Sequence, residues 1–210
     1  MKKLVVFYIV IFLLIFSGCQ SKTGNFSSDP LQTSKLATVT SNIGKTLNDL
    51  QRQNPSYEFL HLDGYDFSAE CLGAKDGKSA YVFFGTQAGP SLKEMAPKYS
   101  KQLKCAGIYT SVDTVFSFIS DKPVSIEDFF SSINIDIKDS KKVSFWGGWI
   151  LFDYMNYSVA IDTGDTGNAD SDIYDMPTVK IEKNFPLIII DDALLSYNEK
   201  LCGQYADKNS

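Results

Sequence analysis

Residues 142 to 162 read KVSFWGGWILFDYMNYSVAID, and this stretch decides the class of fold. It contains three apolar and aromatic runs, which are separated by Gly147-Gly148 and by Met155-Asn156. Short runs rich in aromatic and β-branched residues, joined by two turn residues, are typical of antiparallel hairpins. We therefore predict three consecutive strands: Lys142 to Trp146, Trp149 to Tyr154 and Tyr157 to Asp162.

The first half of the chain has a similar pattern. Its strand-like runs are YEFLHL at 57–62, YDFSAECL at 65–72 and SAYVFFG at 79–85, with the turn residues Asp-Gly between them. Alternating runs separated by such turns favour a second meander. One more short strand is predicted at 178–182.

Helical spacing of apolar residues precedes each meander. We predict helices at 41–53, at 91–103 with a break or kink at Pro97, at 110–119, and after Ser125, which can act as an N-cap. The residues expected to point inward in the last two helices are Val112, Val115, Phe116, Ile119, Ile126, Phe129, Phe130 and Ile133. The order of elements predicts an α+β fold of helices followed by antiparallel β-meanders, which can divide into two tandem modules, 35–107 and 108–210.

The N-terminus has the features of an export signal. Two lysines are followed by thirteen uncharged apolar residues, Leu4 to Phe16, and then by Ser17 and Gly18. The apolar run is too short for a comfortable membrane span, which needs about 20 residues. A charged start, a short apolar run and small residues are typical of a secretory signal, which we assign to residues 1–18.

The stretch FSGCQ at 16–20 resembles the lipobox of bacterial lipoproteins, with Phe16 at the position where that family usually has Leu. The resemblance implies cleavage after Gly18 and acylation of Cys19, which anchors the chain to a membrane of the cell envelope, facing the periplasm or the cell exterior. An ordinary cleaved signal and an uncleaved anchor are the other two interpretations of this segment. We interpret the polar residues at 19–34 as a lipidated tether.

The net charge restricts the class of partner. The whole chain has a formal charge of −5, and loss of residues 1–18, which include Lys2 and Lys3, makes it −7. Nucleic-acid binding requires a basic surface, so we exclude that function. A basic exported protein is a better match for this charge.

The order of elements, with YVFFG closing the first meander, resembles the tandem helix-plus-four-strand modules of the β-lactamase inhibitor proteins. The resemblance is one of architecture, and it covers roughly residues 41 to 182. It implies two curved antiparallel sheets that form a concave protein-binding surface. No motif position aligns with that family, so no binding residue can be assigned from it.

No catalytic signature is present. The single histidine, His61, alternates with Leu60 and Leu62 on a predicted strand, and none of the common nucleophile, phosphate-binding or zinc-binding motifs occurs. We therefore expect no catalytic residue, no cofactor and no metal. An enzyme that uses His61 with nearby carboxylates such as Asp63 is the least favoured function.

Cys71, Cys105 and Cys202 follow the lipobox cysteine. Disulfides form in exported proteins, and three cysteines allow three different single bridges. We favour Cys71–Cys105 because these two are closest in sequence. Redox catalysis is not expected, since there is no Cys-x-x-Cys.

Two neighbouring segments are candidates for contact with a partner. The aromatic residues are Trp146, Trp149, Tyr154 and Tyr157, and the acidic residues of the Gly-rich segment at 162–175 include Asp165, Asp170 and Asp172. Exposed tryptophan and tyrosine are enriched at binding surfaces. Aromatic residues on strands more often belong to the core, however, and an acidic segment of this kind can equally be a solvated loop or a calcium site.

The resulting hypothesis is a membrane-tethered, non-enzymatic lipoprotein that binds or inhibits another exported protein. A second hypothesis, of a different class, is an envelope-maintenance or solute-binding lipoprotein.

Overall fold

The computed structural model describes residues 30–63, 68–85, 89–117, 122–137, 143–146, 148–164 and 180–209. The helices are α1 (Pro30–Thr40), α2 (Leu47–Gln53), α3 (Leu92–Tyr99), α4 (Val112–Val115), α5 (Ile126–Ser132) and α6 (Asp192–Asn209). The strands are β1 (Glu58–Asp63), β2 (Ser68–Gly73), β3 (Ala80–Gly85), β4 (Gly107–Ser111), β5 (Val124–Ser125), β6 (Val143–Trp146), β7 (Trp149–Tyr154), β8 (Tyr157–Asp162), β9 (Lys180–Ile181) and β10 (Pro186–Ile190).

Eight of these strands form one antiparallel sheet in the order β1-β2-β3-β4-β10-β8-β7-β6, and β5 pairs with β9. The predicted α+β class with antiparallel meanders is confirmed. The meanders of both halves belong to this sheet, because β10 pairs with β4 on one side and with β8 on the other. The division into two modules stays a prediction.

The predicted turns of the second meander are present. Trp146 pairs with Trp149 and Tyr154 pairs with Tyr157, which leaves two residues in each loop. Gly148 has φ 86° and Met155 has φ 56°, as tight two-residue hairpins require. The left-handed conformation is normal for glycine and unfavourable for methionine.

One face of the sheet carries the main hydrophobic core. Below the first meander, α2, α3 and α6 contribute Leu47, Leu92, Met95 and Leu201, among others, to a cluster with Phe83 of β3. Below the second meander, α4 and α5 contribute a cluster rich in aromatic residues, which contains Val112, Val115, Ile126, Phe129, Phe130 and Phe152. The strand residues of both clusters lie on the same face, since Ile108 in the first pairs directly with Ile189 in the second.

Several predicted boundaries differ from the structure. Helix α1 begins at Pro30 and so includes the last residues assigned to the tether; proline is favourable at a first helical position, and Leu36 of this helix is buried. Helix α2 begins at Leu47 and is capped by Thr46, because Gly44 with φ 87° interrupts the predicted helix. Pro97 lies inside α3 without ending it.

Two more differences concern strands. Thr110 and Ser111 belong to β4, so the predicted helix at 110–119 is reduced to α4. The predicted strand at 178–182 corresponds to the two-residue strand β9.

Candidate functional site

The second face of the sheet, opposite the helices, is formed by strand residues. We call it the outer face. Its apolar cluster consists of Ala69, Cys71, Ala80 and Val82, which are buried, packed against the partly buried Leu60, Leu62, Tyr109 and Ile190. Every member of this cluster lies in a strand, whereas the buried apolar residues of the described helices belong to the two clusters on the other face.

Small residues allow the larger side chains of the outer face to lie flat. A Cβ atom at Gly107 would lie 2.5 Å from Cδ1 of Ile190, and a Cβ atom at Gly73 would lie 2.8 Å from Cδ1 of Leu60. The side chains of Ile190 and Leu60 therefore occupy the space above the two glycines. Leu60, Leu62, Tyr109 and Ile190 stay partly exposed. Ile188 and Trp149, which strand register places on the same face, are buried.

The charged residues that the structure describes in the strands of the outer face are acidic. Strand register places Glu58, Asp153 and Asp162 on this face, because each pairs with or alternates with its apolar residues. In the described part of the chain, no lysine or arginine forms an ion pair with any of these three carboxylates. Within the described residues, these three carboxylates therefore have no cationic partner.

The pKa values of two ionisable groups on this face, Asp153 and Tyr109, are raised. The pKa of Asp153 is raised by partial burial and by the nearby carboxylate of Asp192. The Ser158 hydroxyl donates its one proton to Oδ2 of Asp192 at 2.7 Å. Burial, followed by the charge of Asp162, raises the pKa of Tyr109. A cation near either carboxylate would relieve these unfavourable interactions.

Two of the four aromatic candidates for partner contact, Trp149 and Tyr154, are buried, so the prediction is wrong for these two. Trp149 is 6 % exposed and Tyr154 is 7 % exposed, so neither side chain is available to a partner. Tyr154 alternates with Phe152 and Ile150 toward the helices and packs edge-on against Phe116, with ring centroids 5.6 Å apart.

The other two aromatic candidates differ from each other. Tyr157 is partly buried against the helix-side cluster, so it does not form part of the outer face. The backbone of Trp146 belongs to β6, but its side chain is not among those that the structure describes. The acidic candidates Asp165, Asp170 and Asp172, together with the calcium site considered for their loop, lie outside the described residues, as does Cys19.

His61 pairs with a different carboxylate from the one considered from sequence. Its Nδ1 lies 2.9 Å from Oε1 of Glu70, whereas Asp63 accepts a hydrogen bond from the Ser68 hydroxyl. The second oxygen of Glu70 accepts from the backbone N–H of Leu92 at 2.7 Å, at the first residue of α3. Glu70 thus connects β1 and β2 with α3. No hydroxyl or thiol contacts His61 among the described residues.

The favoured Cys71–Cys105 disulfide is not present. Cys71, Cys105 and Cys202 are buried free thiols in the structure. Cys71 is on β2 and Cys105 precedes β4, with β3 between these strands. Two strand spacings are about 9.6 Å, which exceeds the Cα separation that a disulfide can span. Burial raises the pKa of all three thiols, so they are poor nucleophiles.

Two other kinds of site are absent from the described residues. They contain no cluster of three or more His, Cys, Asp or Glu side chains that could hold a metal ion. None of their helices combines the length and apolar character needed to cross a bilayer.

Comparison with known proteins adds no assignment. No family model matches the chain, and no curated protein or solved structure matches it. The resemblances to lipoproteins and to the β-lactamase inhibitor proteins therefore stay predictions.

Sequence reasoning counted Asp162 in the acidic segment at 162–175 and did not place it on a sheet face, and it overlooked Asp153. Both residues lie in runs whose apolar and aromatic residues dominate the sequence pattern. The strict alternation in WILFDY and YSVAID could have identified them, because Asp153 and Asp162 have the parity of Leu151 and Ala160 rather than that of the core residues Phe152 and Ile161.

Proposed function

We propose that this chain is a lipid-anchored exported protein that binds another exported protein through the outer face, without catalysing a reaction. The single observation that carries the proposal is the construction of that face. It spans strands from both halves of the chain, its apolar cluster is contributed by strands alone, and larger residues such as Tyr109 and Ile190 stay partly exposed. A rigid, partly apolar sheet surface is suited to recognising a protein.

The sequence supports the anchored location. An acyl chain on Cys19 would hold the domain at a membrane surface, with each buried CH₂ group contributing about 0.8 kcal/mol. The chain between Cys19 and α1 would separate the sheet from that surface. A tethered domain meets partners at a raised local concentration, so a moderate affinity is sufficient.

The contact of His61 with Glu70 is consistent with a structural role. The imidazole and the carboxylate lie on the helix side, where Glu70 also satisfies the first backbone N–H of α3. A general base needs a nucleophile or a substrate proton within hydrogen-bond distance. The binding proposal needs neither.

The proposal is tested by disrupting the outer face at Leu151, a partly buried residue of β7. The protein is immobilised as wild type, as Leu151→Glu and as Tyr197→Glu, a control on α6 whose side chain is exposed on the helix side. Each is exposed to envelope extract from its native cells. We expect one protein to be retained by the wild type and the control and lost with Leu151→Glu. Retention of the same protein by all three would contradict the proposed face.

A further inference from the structure

Strand β1 forms one edge of the eight-stranded sheet. It pairs with β2 in a regular antiparallel register over all six of its residues, Glu58–Asp63. The register shift in this part of the sheet lies on the other side of β2, between β2 and β3. In a regular antiparallel pair, alternate residues direct their N–H and C=O groups away from the neighbouring strand. Half of the backbone groups of β1 therefore point outward along the edge.

This edge is open to solvent. Glu58, His61 and Asp63 are exposed, and the other three residues of β1 are partly exposed. Apart from the pairing with β2, the hydrogen bonds of β1 are those of His61 and Asp63 to side chains of β2, and the described part of the chain contains no others. Sheets commonly protect an edge with proline, a bulge or a very short strand, and β1 has none of these.

Apolar side chains flank the edge on both faces of the sheet. Leu60 and Leu62 are partly buried members of the outer-face cluster, and Phe59 is partly buried against the helix-side cluster. A strand added beside β1 would place its own side chains opposite these residues and cover their remaining exposed surface. The edge therefore offers both backbone groups and apolar surface to an extended chain.

Charge distinguishes between two possible occupants of the edge. If two copies of this chain paired through β1 with all six residues in register, Glu58 would lie opposite Asp63 of the second copy at both ends of the contact. Like charges directly opposite each other are destabilising. An extended segment with lysine or arginine at these two positions, and apolar residues opposite Leu60 and Leu62, is complementary to the charge and to the apolar surface.

We propose that β1 binds an extended segment of another exported protein, which pairs antiparallel to β1 and adds a strand to the sheet. Lysine or arginine residues five positions apart in that segment lie opposite Glu58 and Asp63. Because Leu60 and Leu62 belong to the outer face, the added strand extends that face. This inference rests on the proposed function and specifies how the partner binds: backbone hydrogen bonds provide affinity, and the side-chain pairs provide specificity.

Photo-crosslinking in the native cells identifies the segment. A photo-reactive amino acid replaces Leu62 in the full chain, and a control version carries it at Lys93, an exposed residue of α3. We expect position 62 to crosslink to a segment of an exported protein with lysine or arginine five positions apart, and position 93 to give no such product. A crosslink to a second copy of the chain, or no product from position 62, would overturn the inference.

Backbone pairing is tested with the crosslinked segment as a synthetic peptide. Two further peptides have the same sequence and are N-methylated at alternate amides, one at the even positions and one at the odd positions. Only alternate amides of an added strand donate to β1. We therefore expect one methylated peptide to bind about a hundredfold more weakly than the unmodified peptide and the other to bind within about fivefold of it. Equal effects of the two methylation patterns would overturn the inference.

Reversal of one charge tests the contact at the end of the strand. Glu58→Lys should weaken binding of the unmodified peptide about fivefold. Glu199→Lys makes the same change at an exposed position of α6 and should leave the affinity within about twofold of wild type. An unchanged affinity in Glu58→Lys would overturn the proposed charge contact.

The outcomes separate this inference from the proposed function. If the two methylation patterns have equal effects while Leu151→Glu still abolishes retention of the partner, the proposed function is preserved and the added strand is overturned. If one pattern abolishes binding while Leu151→Glu retains the partner, the added strand is supported and the contact at Leu151 is overturned. Melting temperatures equal to that of the wild type show that unfolding is not the cause.

Discussion

The side-chain amide of Asn198 on α6 bonds to both backbone groups of Lys104, the residue that leads into Cys105 and β4. Its Oδ1 accepts the Lys104 N–H at 3.1 Å, and its Nδ2 donates to the Lys104 carbonyl at 2.6 Å. The same nitrogen donates to the carbonyl of Phe83 on β3 at 2.7 Å. Asn198 is completely buried, and of the three backbone groups that it serves, the Phe83 carbonyl is buried and the two of Lys104 are partly buried.

Replacement of Asn198 by alanine should therefore be strongly destabilising. We expect the free energy of unfolding to fall by about 3 kcal/mol, because one buried and two partly buried backbone groups lose a partner. Chemical denaturation of the chain from residue 22 onward measures the change. Glu199→Ala, at the exposed neighbouring position, is the control and should change stability by less than about 0.5 kcal/mol. A similar loss in both variants would contradict the role of the buried amide.

The part of the fold that sequence predicts well is the part governed by local rules. Ser125 caps α5 by accepting from the Asp128 N–H, and Ile126, Phe129 and Phe130 are buried as their spacing predicts. The two-residue hairpin loops follow from the residues between aromatic runs. Such features depend on a few adjacent residues, so one sequence is enough to identify them.

Long-range contacts were not predictable in the same way. The run FPLIII, which contains β10, has no alternation because its outward and inward residues are both apolar, so periodicity cannot distinguish a central strand from a helix. Asn198 accepts a hydrogen bond from Lys104, which is 94 positions away in the sequence, and the residues adjacent to Asn198 in the sequence do not indicate this contact. The burial of Trp149 likewise depends on tertiary packing.

The close approach of β4 and β10 predicts an intolerance to side chains at Gly107. An added Cβ would lie 2.4 Å from the backbone oxygen of Ile189, which cannot move without disturbing the central strand. We expect Gly107→Ala to lower the free energy of unfolding by about 3 kcal/mol. Denaturation midpoints at an unchanged denaturant dependence provide the measurement.

Gly203 provides the matched control for that substitution. It lies in α6, and an added Cβ would meet no atom within 4 Å. Because alanine favours a helix over glycine, Gly203→Ala should stabilise the protein by roughly 0.5–1 kcal/mol. If the cause is steric, Gly107→Ala lowers the free energy of unfolding and Gly203→Ala raises it. A loss of stability in both variants would contradict the steric explanation.

The buried thiols should be unreactive in the folded protein. Burial raises the pKa of Cys105 to about 12 and also raises those of Cys71 and Cys202. We expect iodoacetamide at pH 8 to label these residues at least a hundredfold more slowly than in denaturant, as followed by mass spectrometry. Rapid labelling of Cys105 in the native state would contradict its burial.

The same shifts predict the direction of a pH effect on stability. A thiol whose folded pKa is raised above its ordinary value of 9.0 favours the folded state at any pH where it is protonated in both states. This contribution is complete below pH 9 and is lost as the pH rises toward about 12. Cys105→Ala should therefore reduce the loss of stability between these pH values, as measured by urea denaturation.

The lipid anchor is testable independently of the fold. We expect the wild-type chain to incorporate labelled fatty acid and to fractionate with membranes, and Cys19→Ala to lose both properties or to accumulate as the uncleaved precursor. Cys202→Ala is the control because that thiol is buried. Absence of fatty-acid label from the wild type would remove the lipoprotein assignment and leave the binding face unaffected.

The link from His61 through Glu70 to Leu92 distinguishes a structural role from a catalytic one. His61 is half-exposed, so its pairing with Glu70 contributes at most about 1 kcal/mol, and His61→Gln should have a small effect on stability. Glu70→Leu removes the acceptor of the Leu92 N–H, which the Ser91–Glu94 capping box does not satisfy, and should cost about 2 kcal/mol. Glu70→Gln keeps an acceptor oxygen and is the matched control.

Partner binding should stay within a few-fold of wild type in His61→Gln, and a hundredfold loss of function with unchanged stability would instead favour an enzyme.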